Sequence, residues 1–148
     1  MPALLSLSGH LGLLASLLPS PSLTAIYRRI VDHLSNHIVQ RAILAGWSRF
    51  TAAGGKELER EVAAWVSSSS LALGSAVRRP AAPWRRLEEM AKVLALDDDG
   101  DNEQVGWDEL LDALRSGGSG APIDQLELRV LDRAELEQVV RRRVDCTL

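Results

Sequence analysis

Two histidines have the spacing of a metal-binding pair. His33 and His37 lie four residues apart, so on a helix they would share one face, as two zinc ligands do. No further ligand is near, because Asp32 would point about a hundred degrees away and Cys146 is distant in the sequence. Cys146 is the single cysteine, which excludes an internal disulfide and a zinc site of several thiolates. We interpret the histidines as boundary residues of an amphipathic helix and predict no metal site.

An aspartate-rich segment, residues 97–106, resembles an EF-hand calcium loop and lies between two predicted helices. Three aspartates fall at the first, third and fifth ligand positions of such a loop: Asp97, Asp99 and Asp101. The sixth position requires glycine for a sharp turn but holds Asn102, and the twelfth requires a bidentate glutamate but holds Asp108. We interpret the segment as a solvated acidic loop, and a degenerate EF-hand-like calcium-binding module is the alternative.

The sequence lacks the motifs of nucleophilic catalysis and of phosphate binding. No serine lies in a Gly-x-Ser-x-Gly elbow. The Gly54-Gly55 pair has neither the preceding strand nor the following Gly-Lys-Ser/Thr of a phosphate-binding loop. We therefore predict no catalytic residue, no cofactor-binding residue and no cofactor, and we expect that the protein is not an enzyme.

The composition and the hydrophobic pattern predict a globular chain made of helices. Of 148 residues, 46% are hydrophobic and 25% are charged, which excludes wholesale disorder and fits one domain. The formal charge of −3 argues against a nucleic-acid surface, which needs a positive excess to neutralise phosphates. Apolar residues recur at every third or fourth position through most of the chain, which predicts amphipathic helices.

The longest predicted helix runs from Ser22 to Phe50. Ser22 is its expected N-cap, and Gly54-Gly55 is expected to end it as a C-terminal breaker. A second helix fits Glu57 to Val77, and the serine run at residues 67–70 predicts a kink or break within it because serine has low helix propensity.

Three further helices are predicted after the proline-rich connector at residues 79–83. They run from Pro83 to about Leu96, with Arg85, Arg86, Glu88 and Glu89 outside; from Trp107 to Leu114; and from Asp132, with Glu135 in capping-box spacing. Residues 126–130 alternate like a short strand, but a lone strand has no partner. The predicted fold class is all-α with about five or six helices, in one domain, residues 1–148, that contains the acidic loop 97–106 and a Gly/Ser linker at residues 116–122.

The tryptophans and the C-terminal arginines are expected to have structural roles. Trp47, Trp65 and Trp84 fall on the apolar faces of their predicted helices, so we expect them in the core and not in a ligand platform. The triplet of arginines at residues 141–143 is interpreted as the last helical turn, where cations complement the macrodipole. A membrane or an acidic partner is the alternative for this triplet.

The first eighteen residues are rich in leucine but lack the charge pattern of a signal peptide. No Lys or Arg precedes Leu4, and Gly9, His10 and Gly12 interrupt the apolar run before it could span a bilayer. We expect a buried helix, with secretion as the alternative. If uncovered, six leucines would form an apolar face that drives self-association: Leu4, Leu5, Leu7, Leu11, Leu14 and Leu18. The abrupt apolar start also suggests that Met1 is not the natural beginning of the domain.

Two blocks between residues 34 and 96 have a pattern similar to that of a known family. The first combines a helix, a phenylalanine, a pair of small residues and a leucine before an acid: Ile43-Leu44-Ala45, the run Phe50–Leu58, and Glu61-Val62. The second is a basic-proline step into a helix: Arg79-Pro80, Trp84, Leu87 and Val93–Leu96. Together they resemble the C-terminal part of the RINT/TIP family, the endoplasmic-reticulum vesicle tethers of the Dsl (NRZ) complex.

The end of the chain extends this resemblance, since residues 131–143 are similar to the family's terminal helix. Glu57 stands where the family often has glutamine, and Glu61 where it often has aspartate. Loop 97–106 and linker 116–122 look like insertions relative to the family.

The resemblance implies a function in tethering and not in catalysis. It implies the C-terminal end of a helical rod from a longer protein that acts in retrograde transport from the Golgi to the endoplasmic reticulum. The implied partners are other tethering-complex subunits and SNARE proteins of the endoplasmic reticulum, with peripheral attachment to the cytoplasmic face of that membrane through proteins. A generic helical scaffold is, with the calcium-binding module, the alternative function.

Overall fold

The computed structural model describes residues 2–45, 49–97, 105–116 and 121–147. These residues form seven α-helices: α1 (Pro2–Leu17), α2 (Ser20–Ile38), α3 (Ala52–Leu73), α4 (Arg85–Ala95), α5 (Trp107–Arg115), α6 (Ala121–Gln125) and α7 (Arg133–Val140). The described segments contain no strand, so the predicted all-α class is confirmed. The sequence predicts five or six helices, and the additional one is α6, a short helix that begins inside the predicted linker.

Helix α2 buries one row of side chains that are spaced four residues apart. The row continues into a π-helical turn, Val39–Leu44. Its members are Leu23, Tyr27, Val31, Ser35, Val39 and Ile43. The helix begins at Ser20 and holds Pro21 in its first turn, where the missing N–H costs no hydrogen bond. The predicted N-cap, Ser22, therefore lies inside the helix.

The prediction that this helix extends to Phe50 was wrong. The α-helical part ends at Ile38, and the helical turns end at Leu44. Phe50 instead forms an isolated parallel bridge with Arg143. Its N–H donates to the carbonyl of Arg142 at 2.8 Å, and its carbonyl accepts from the N–H of Val144 at 2.9 Å. Because Phe50 bonds to the C-terminal segment in this way, its backbone is not available for a helical ladder.

Gly54 and Gly55 do not end a helix as predicted, because they lie in the first turn of α3. Thr51 is the N-cap, and its hydroxyl accepts from the N–H of Gly54 at 3.1 Å. A Cβ on Gly55 would lie 1.9 Å from the carbonyl oxygen of Leu94 in α4. The glycine is therefore needed where two helices approach closely, and not as a breaker.

The serine run at residues 67–70 does not break α3, which continues to Leu73. Ser69 is fully buried, so packing against neighbouring helices outweighs the low intrinsic propensity of serine here. The predicted end at Val77 lies beyond the helix, after a 3-10 turn at Gly74–Ala76. A second 3-10 turn, Ala82–Trp84, precedes α4, so the predicted first residue, Pro83, lies in that turn.

One part of the core forms where side chains of α2 and α3 pack against the 3-10 turn that precedes α4. The rings of Trp65 and Trp84 are tilted, with centroids 6.2 Å apart. Trp84 is fully buried, and its Nε1 donates to the Tyr27 hydroxyl at 3.0 Å, which in turn donates to the carbonyl of Pro80 at 2.6 Å. Burial raises the pKa of Tyr27, although its hydrogen bonds act in the opposite direction. The prediction that Trp65 and Trp84 belong to the core is confirmed, and Trp47 lies outside the described residues.

The beginnings of α5 and α7 agree with the sequence pattern. Helix α5 begins at Trp107 and buries the predicted leucines Leu110, Leu111 and Leu114. Asp132 caps α7, because its Oδ1 accepts from the N–H of Glu135 at 2.8 Å. Residues 126–130 form no strand, as expected from the lack of a partner.

Helix α1 packs against α3 and α2 but is only partly buried. Leu11 is 1% exposed and is its single buried residue among those described, whereas Leu5, Leu13 and Leu17 are 75%, 58% and 69% exposed. The predicted helix is therefore confirmed, but its expected burial holds only on one side. In the described part of the chain, no helix has the length and apolar character needed to cross a membrane.

Candidate functional site

The two histidines of the possible metal pair lie on the solvent-exposed face of α2. His33 and His37 are both exposed. Cys146 is half-buried in the C-terminal segment. Within the described segments, no group of three or more His, Cys, Asp or Glu side chains is placed to hold a metal ion.

The acidic loop is described only at its two ends. Asp97 pairs with Lys56 of α3, with 2.7 Å between Oδ2 and Nζ. Asp108 lies in the first turn of α5, where a carboxylate interacts favourably with the helix dipole. The intermediate positions of the calcium-like motif, including Asp99, Asp101 and Asn102, lie outside the described residues. The first potential calcium ligand is therefore engaged with a lysine, and the structure adds no support for the calcium-binding alternative.

The C-terminal arginines hold the fold together in a way that the sequence pattern does not predict. Arg143 is 2% exposed, and its guanidinium carbon lies 3.9 Å from the centroid of the Trp107 ring. Its Nε donates to Oδ1 of Asp145 at 2.9 Å. Its Nη1 donates to the carbonyls of Leu94 and Leu96, at the C-terminal end of α4.

These contacts correct the interpretation of the triplet at residues 141–143. Helix α7 ends at Val140, so Arg143 lies beyond the helix and does not complement its macrodipole. Its burial also excludes the alternative in which it meets a membrane or an acidic partner. Arg142 has a structural contact as well, since its Nε donates to the carbonyl of Ile43 at 2.8 Å. Of the three, only Arg141 is exposed.

Arg143 closes the base of the acidic loop. The chain enters the loop after Leu96 and returns at Trp107, and Arg143 contacts both residues. Burying a cation costs several kcal/mol unless it is paired and hydrogen-bonded. Here a carboxylate, two carbonyls and an aromatic face offset that cost. We conclude that the two ends of the loop are fixed to each other by a side chain from the C-terminal segment.

A second buried charge, Glu89 of α4, organises the connection between α6 and α7. Its carboxylate accepts three backbone N–H bonds at 2.9 Å each, from Arg129, Val130 and Leu131. The sequence places Glu89 on the outer face of its helix, but the side chain is 8% exposed. Residues 126–132 make no regular structure that could bond these amides, so the carboxylate replaces a strand partner.

A cavity of about 320 Å³ opens between α3 and α4 beside this connection. Its walls carry charges of both signs, among them Glu59, Arg85, Glu88 and Lys92. Burial raises the pKa of Glu88, and nearby Glu89 adds to this, while Arg85 acts against it. The described residues that line this cavity carry charges of both signs and include no nucleophile–base pair of the kind used in covalent catalysis.

Sequence reasoning missed Glu89 and Arg143, and only a weak signal could have identified them. All three partners of Glu89 are backbone amides, and two of the four groups that contact the Arg143 side chain are backbone carbonyls, which no side-chain pattern reveals. For Arg143, the nearby Asp145 is a visible signal, since a carboxylate two residues away can neutralise a buried arginine.

Comparison with known proteins gives one finding and two negative results. The model of the RINT-1/TIP-1 family matches residues 1–143. No curated protein and no solved structure gives a significant match. The matched range includes α1 and the segments at residues 97–106 and 116–122, so it is wider than the blocks on which the resemblance was based.

Proposed function

The chain belongs to the RINT-1/TIP-1 family, and from this premise we propose that it is a vesicle-tethering subunit acting in retrograde transport from the Golgi to the endoplasmic reticulum. The family match over residues 1–143 carries the proposal. Family membership supports a tethering-related role in a complex with other tethering subunits. We further propose that transport runs from the Golgi to the endoplasmic reticulum and that the chain contacts SNARE proteins of the endoplasmic reticulum.

The physical character of the chain supports a binding role. Tethers act through helix faces and loops and need rigid helical surfaces, not a reactive group. Helices α2 and α3 supply such surfaces, with 19 and 22 residues. We propose that the chain forms the C-terminal end of a helical rod and attaches peripherally to the cytoplasmic face of the endoplasmic reticulum through its protein partners.

Affinity purification from cells tests this proposal. A tagged full chain is purified after mild crosslinking, and the associated proteins are quantified against an untagged control. We expect enrichment of tethering-complex subunits and endoplasmic-reticulum SNAREs, and we expect depletion of the protein to delay the return of escaped endoplasmic-reticulum residents from the Golgi.

A matched pair of variants provides the control for folding. Gly54→Ala is expected to keep the associated proteins, and Gly55→Ala to lose them, because a Cβ at Gly55 collides with Leu94 while one at Gly54 makes only ordinary contacts. A normal retrieval rate after depletion, with no tethering subunit enriched by the wild type, would overturn the proposed function.

A further inference from the structure

Basic side chains occupy every fourth position along the outward face of α2, and we name this line the α2 basic row. Its members are Arg29, His33, His37 and Arg41. They are spaced four residues apart, the first three in α2 and the last in the π-helical turn. All four are exposed.

The α2 basic row lies opposite the buried row of the same helix. Each of its members is two residues away from a buried one, as Arg29 is from Tyr27 and Val31. Two residues correspond to about 200° around a helix, so the two rows occupy opposite sides. The buried row fixes α2 against the core, and the basic row therefore points directly away from it.

The side chains of the α2 basic row have no partners within the described residues, although other cations of the chain do. Arg86 pairs with Glu135 at 2.6 Å, Lys56 with Asp97 at 2.7 Å, and Arg143 with Asp145. No ion pair joins a side chain of the basic row to the described part of the molecule, and the side-chain hydrogen bonds of the described residues do not involve the row. The neighbouring row of α2 carries the exposed Arg28, one acid, Asp32, and Asn36, which accepts a hydrogen bond from Arg86.

We propose that the α2 basic row docks an acidic helix of a partner protein, one with carboxylates at every fourth position. This inference rests on the proposed function, because it assigns a face to one of the tethering contacts. A row that runs along α2 is suited to a partner helix, because equal spacing on both helices aligns each carboxylate with a basic side chain. Ile26, one turn before Arg29 and 38% exposed, adds an apolar contact at the end of the row.

The charge of the row favours a helix over a membrane. With Arg28 beside the row, this side of α2 carries three permanently charged side chains, Arg28, Arg29 and Arg41. A polybasic segment that holds anionic lipid carries about 4–8 Lys or Arg. Asp32 beside the row would also repel an anionic surface. A partner helix, in contrast to a membrane surface, can place its carboxylates opposite the basic side chains of the row alone.

The test measures binding of a fluorescent, alanine-based helical peptide with glutamate at every fourth position to the full chain at low salt. A peptide of identical composition with the glutamates distributed around the helix is the control. The variant Arg29→Gln/Arg41→Gln removes both permanent charges of the row. Its charge-matched control is Arg85→Gln/Arg129→Gln, at exposed positions that line the cavity between α3 and α4.

We expect the row variant to weaken binding of the aligned peptide about tenfold and the control variant to change it less than about twofold. The rearranged peptide should bind more weakly than the aligned one. All variants should keep the wild-type circular dichroism spectrum, since the substituted side chains are exposed.

Three outcomes would overturn the inference. Equal weakening by both double variants would show dependence on net charge alone. Equal binding of both peptides, or no binding of either, would show that the row does not align carboxylates. Binding to phosphatidylserine vesicles with the same dependence on Arg29 and Arg41, without peptide binding, would assign the row to lipid. Any of these leaves the co-purification of tethering subunits unaffected, so this inference and the proposed function fail separately.

Discussion

Helices α1 and α4 show that the apolar content of a helix does not decide how deeply it is buried. Helix α1 contains seven leucines and no charged residue among 16 positions, whereas five of the 11 residues of α4 are charged. Yet α4 buries seven residues, including Glu89, and α1 buries only Leu11 among its described residues. Burial here follows from position in the fold.

The difference arises because α4 is contacted from several directions. Helix α3 approaches it at Gly55, Arg143 contacts its C-terminal carbonyls, and Glu89 draws the connection before α7 against it. Helix α1 packs on α3 and α2 with one face and leaves Leu13 and Leu17 exposed on the other. Changes near α4 should therefore cost far more than changes in α1.

Substitution of Gly55 should have the largest effect on stability. In Gly55→Ala the new Cβ would lie 1.9 Å from the Leu94 carbonyl oxygen, so α3 and α4 must separate along their contact. We expect the free energy of unfolding to fall by about 4 kcal/mol or more, measured by urea denaturation. Gly54→Ala is the control, with its nearest contact at 3.4 Å, and should change stability by less than about 1 kcal/mol. Similar losses for both glycines would show that the contact with Leu94 is not responsible, because the change from glycine to alanine by itself favours a helix.

Removal of the Arg143 side chain should have the next largest effect. Arg143→Ala leaves the carbonyls of Leu94 and Leu96 without their donor and removes the contact with Trp107. We expect a loss of about 3 kcal/mol in the free energy of unfolding and a change in tryptophan fluorescence. Arg141→Ala, at an exposed position, should stay within about 0.5 kcal/mol of the wild type. A loss below that limit for Arg143 would contradict its assigned role.

The single buried leucine of α1 should matter less than the α4 contacts but more than its exposed neighbours. Leu11→Ala should lower the free energy of unfolding by about 2 kcal/mol, because it removes a side chain that is 1% exposed. Leu13→Ala, where the side chain is 58% exposed, should change it by less than about 0.5 kcal/mol. Thermal unfolding followed by circular dichroism measures both. Equal effects would mean that α1 is covered on both faces in solution.

The exposed leucines of α1 should affect association and not stability. The variant Leu5→Glu/Leu13→Glu/Leu17→Glu removes the apolar face that is left open, so we expect lower light scattering at high protein concentration. Ala53→Glu/Gln125→Glu/Gln138→Glu adds the same charge at exposed positions elsewhere. If both triple variants scatter equally, repulsion between like charges explains the change. Equal scattering by the wild type and the leucine variant would show that α1 does not drive self-association.

The smallest expected effect concerns the pH dependence contributed by Glu88 of α4. Burial raises the pKa of Glu88 in the folded state. Above this pKa the carboxyl group is ionised, and its burial destabilises the fold. At lower pH the group is protonated and the destabilisation is absent. We expect Glu88→Gln to be slightly more stable than the wild type at neutral pH. The difference should disappear as the pH falls below the ordinary pKa of glutamate. Glu61→Gln, at an exposed position of α3, is the control, and an advantage that grows toward acid would contradict the prediction.

The helical class and several helix ends could be predicted because they depend on local signals. The periodic leucines of α5 and the aspartate cap of α7 act within a few residues of themselves, so a sequence pattern contains them. The role of Gly55 could not be predicted, because the reason for the glycine is the carbonyl of Leu94, which lies in another helix. The rule that glycine ends helices considers only residues adjacent in sequence, so it does not detect a contact with another helix.

The buried charges could not be predicted for the same reason. Glu89 occupies an outward position by helical periodicity, and only the folded connection before α7 supplies the amides that it accepts. The possible metal and calcium ligands likewise depend on local spacing alone. Among the described residues, the histidine pair has no third ligand. Asp99 and Asp101 lie outside the described residues, so their interpretation as part of a solvated acidic loop stays a prediction.

The bridge between Phe50 and Arg143 can form only late in the synthesis of the chain. It joins two positions that are 93 residues apart. At about 5–20 residues per second, the ribosome adds Arg143 roughly 5–20 s after Phe50. During that interval α3 and α4 can be complete, but the C-terminal segment that fixes their ends does not yet exist. The nascent chain therefore exposes the surfaces that later surround Trp107 for seconds, which is long enough for chaperones to bind them.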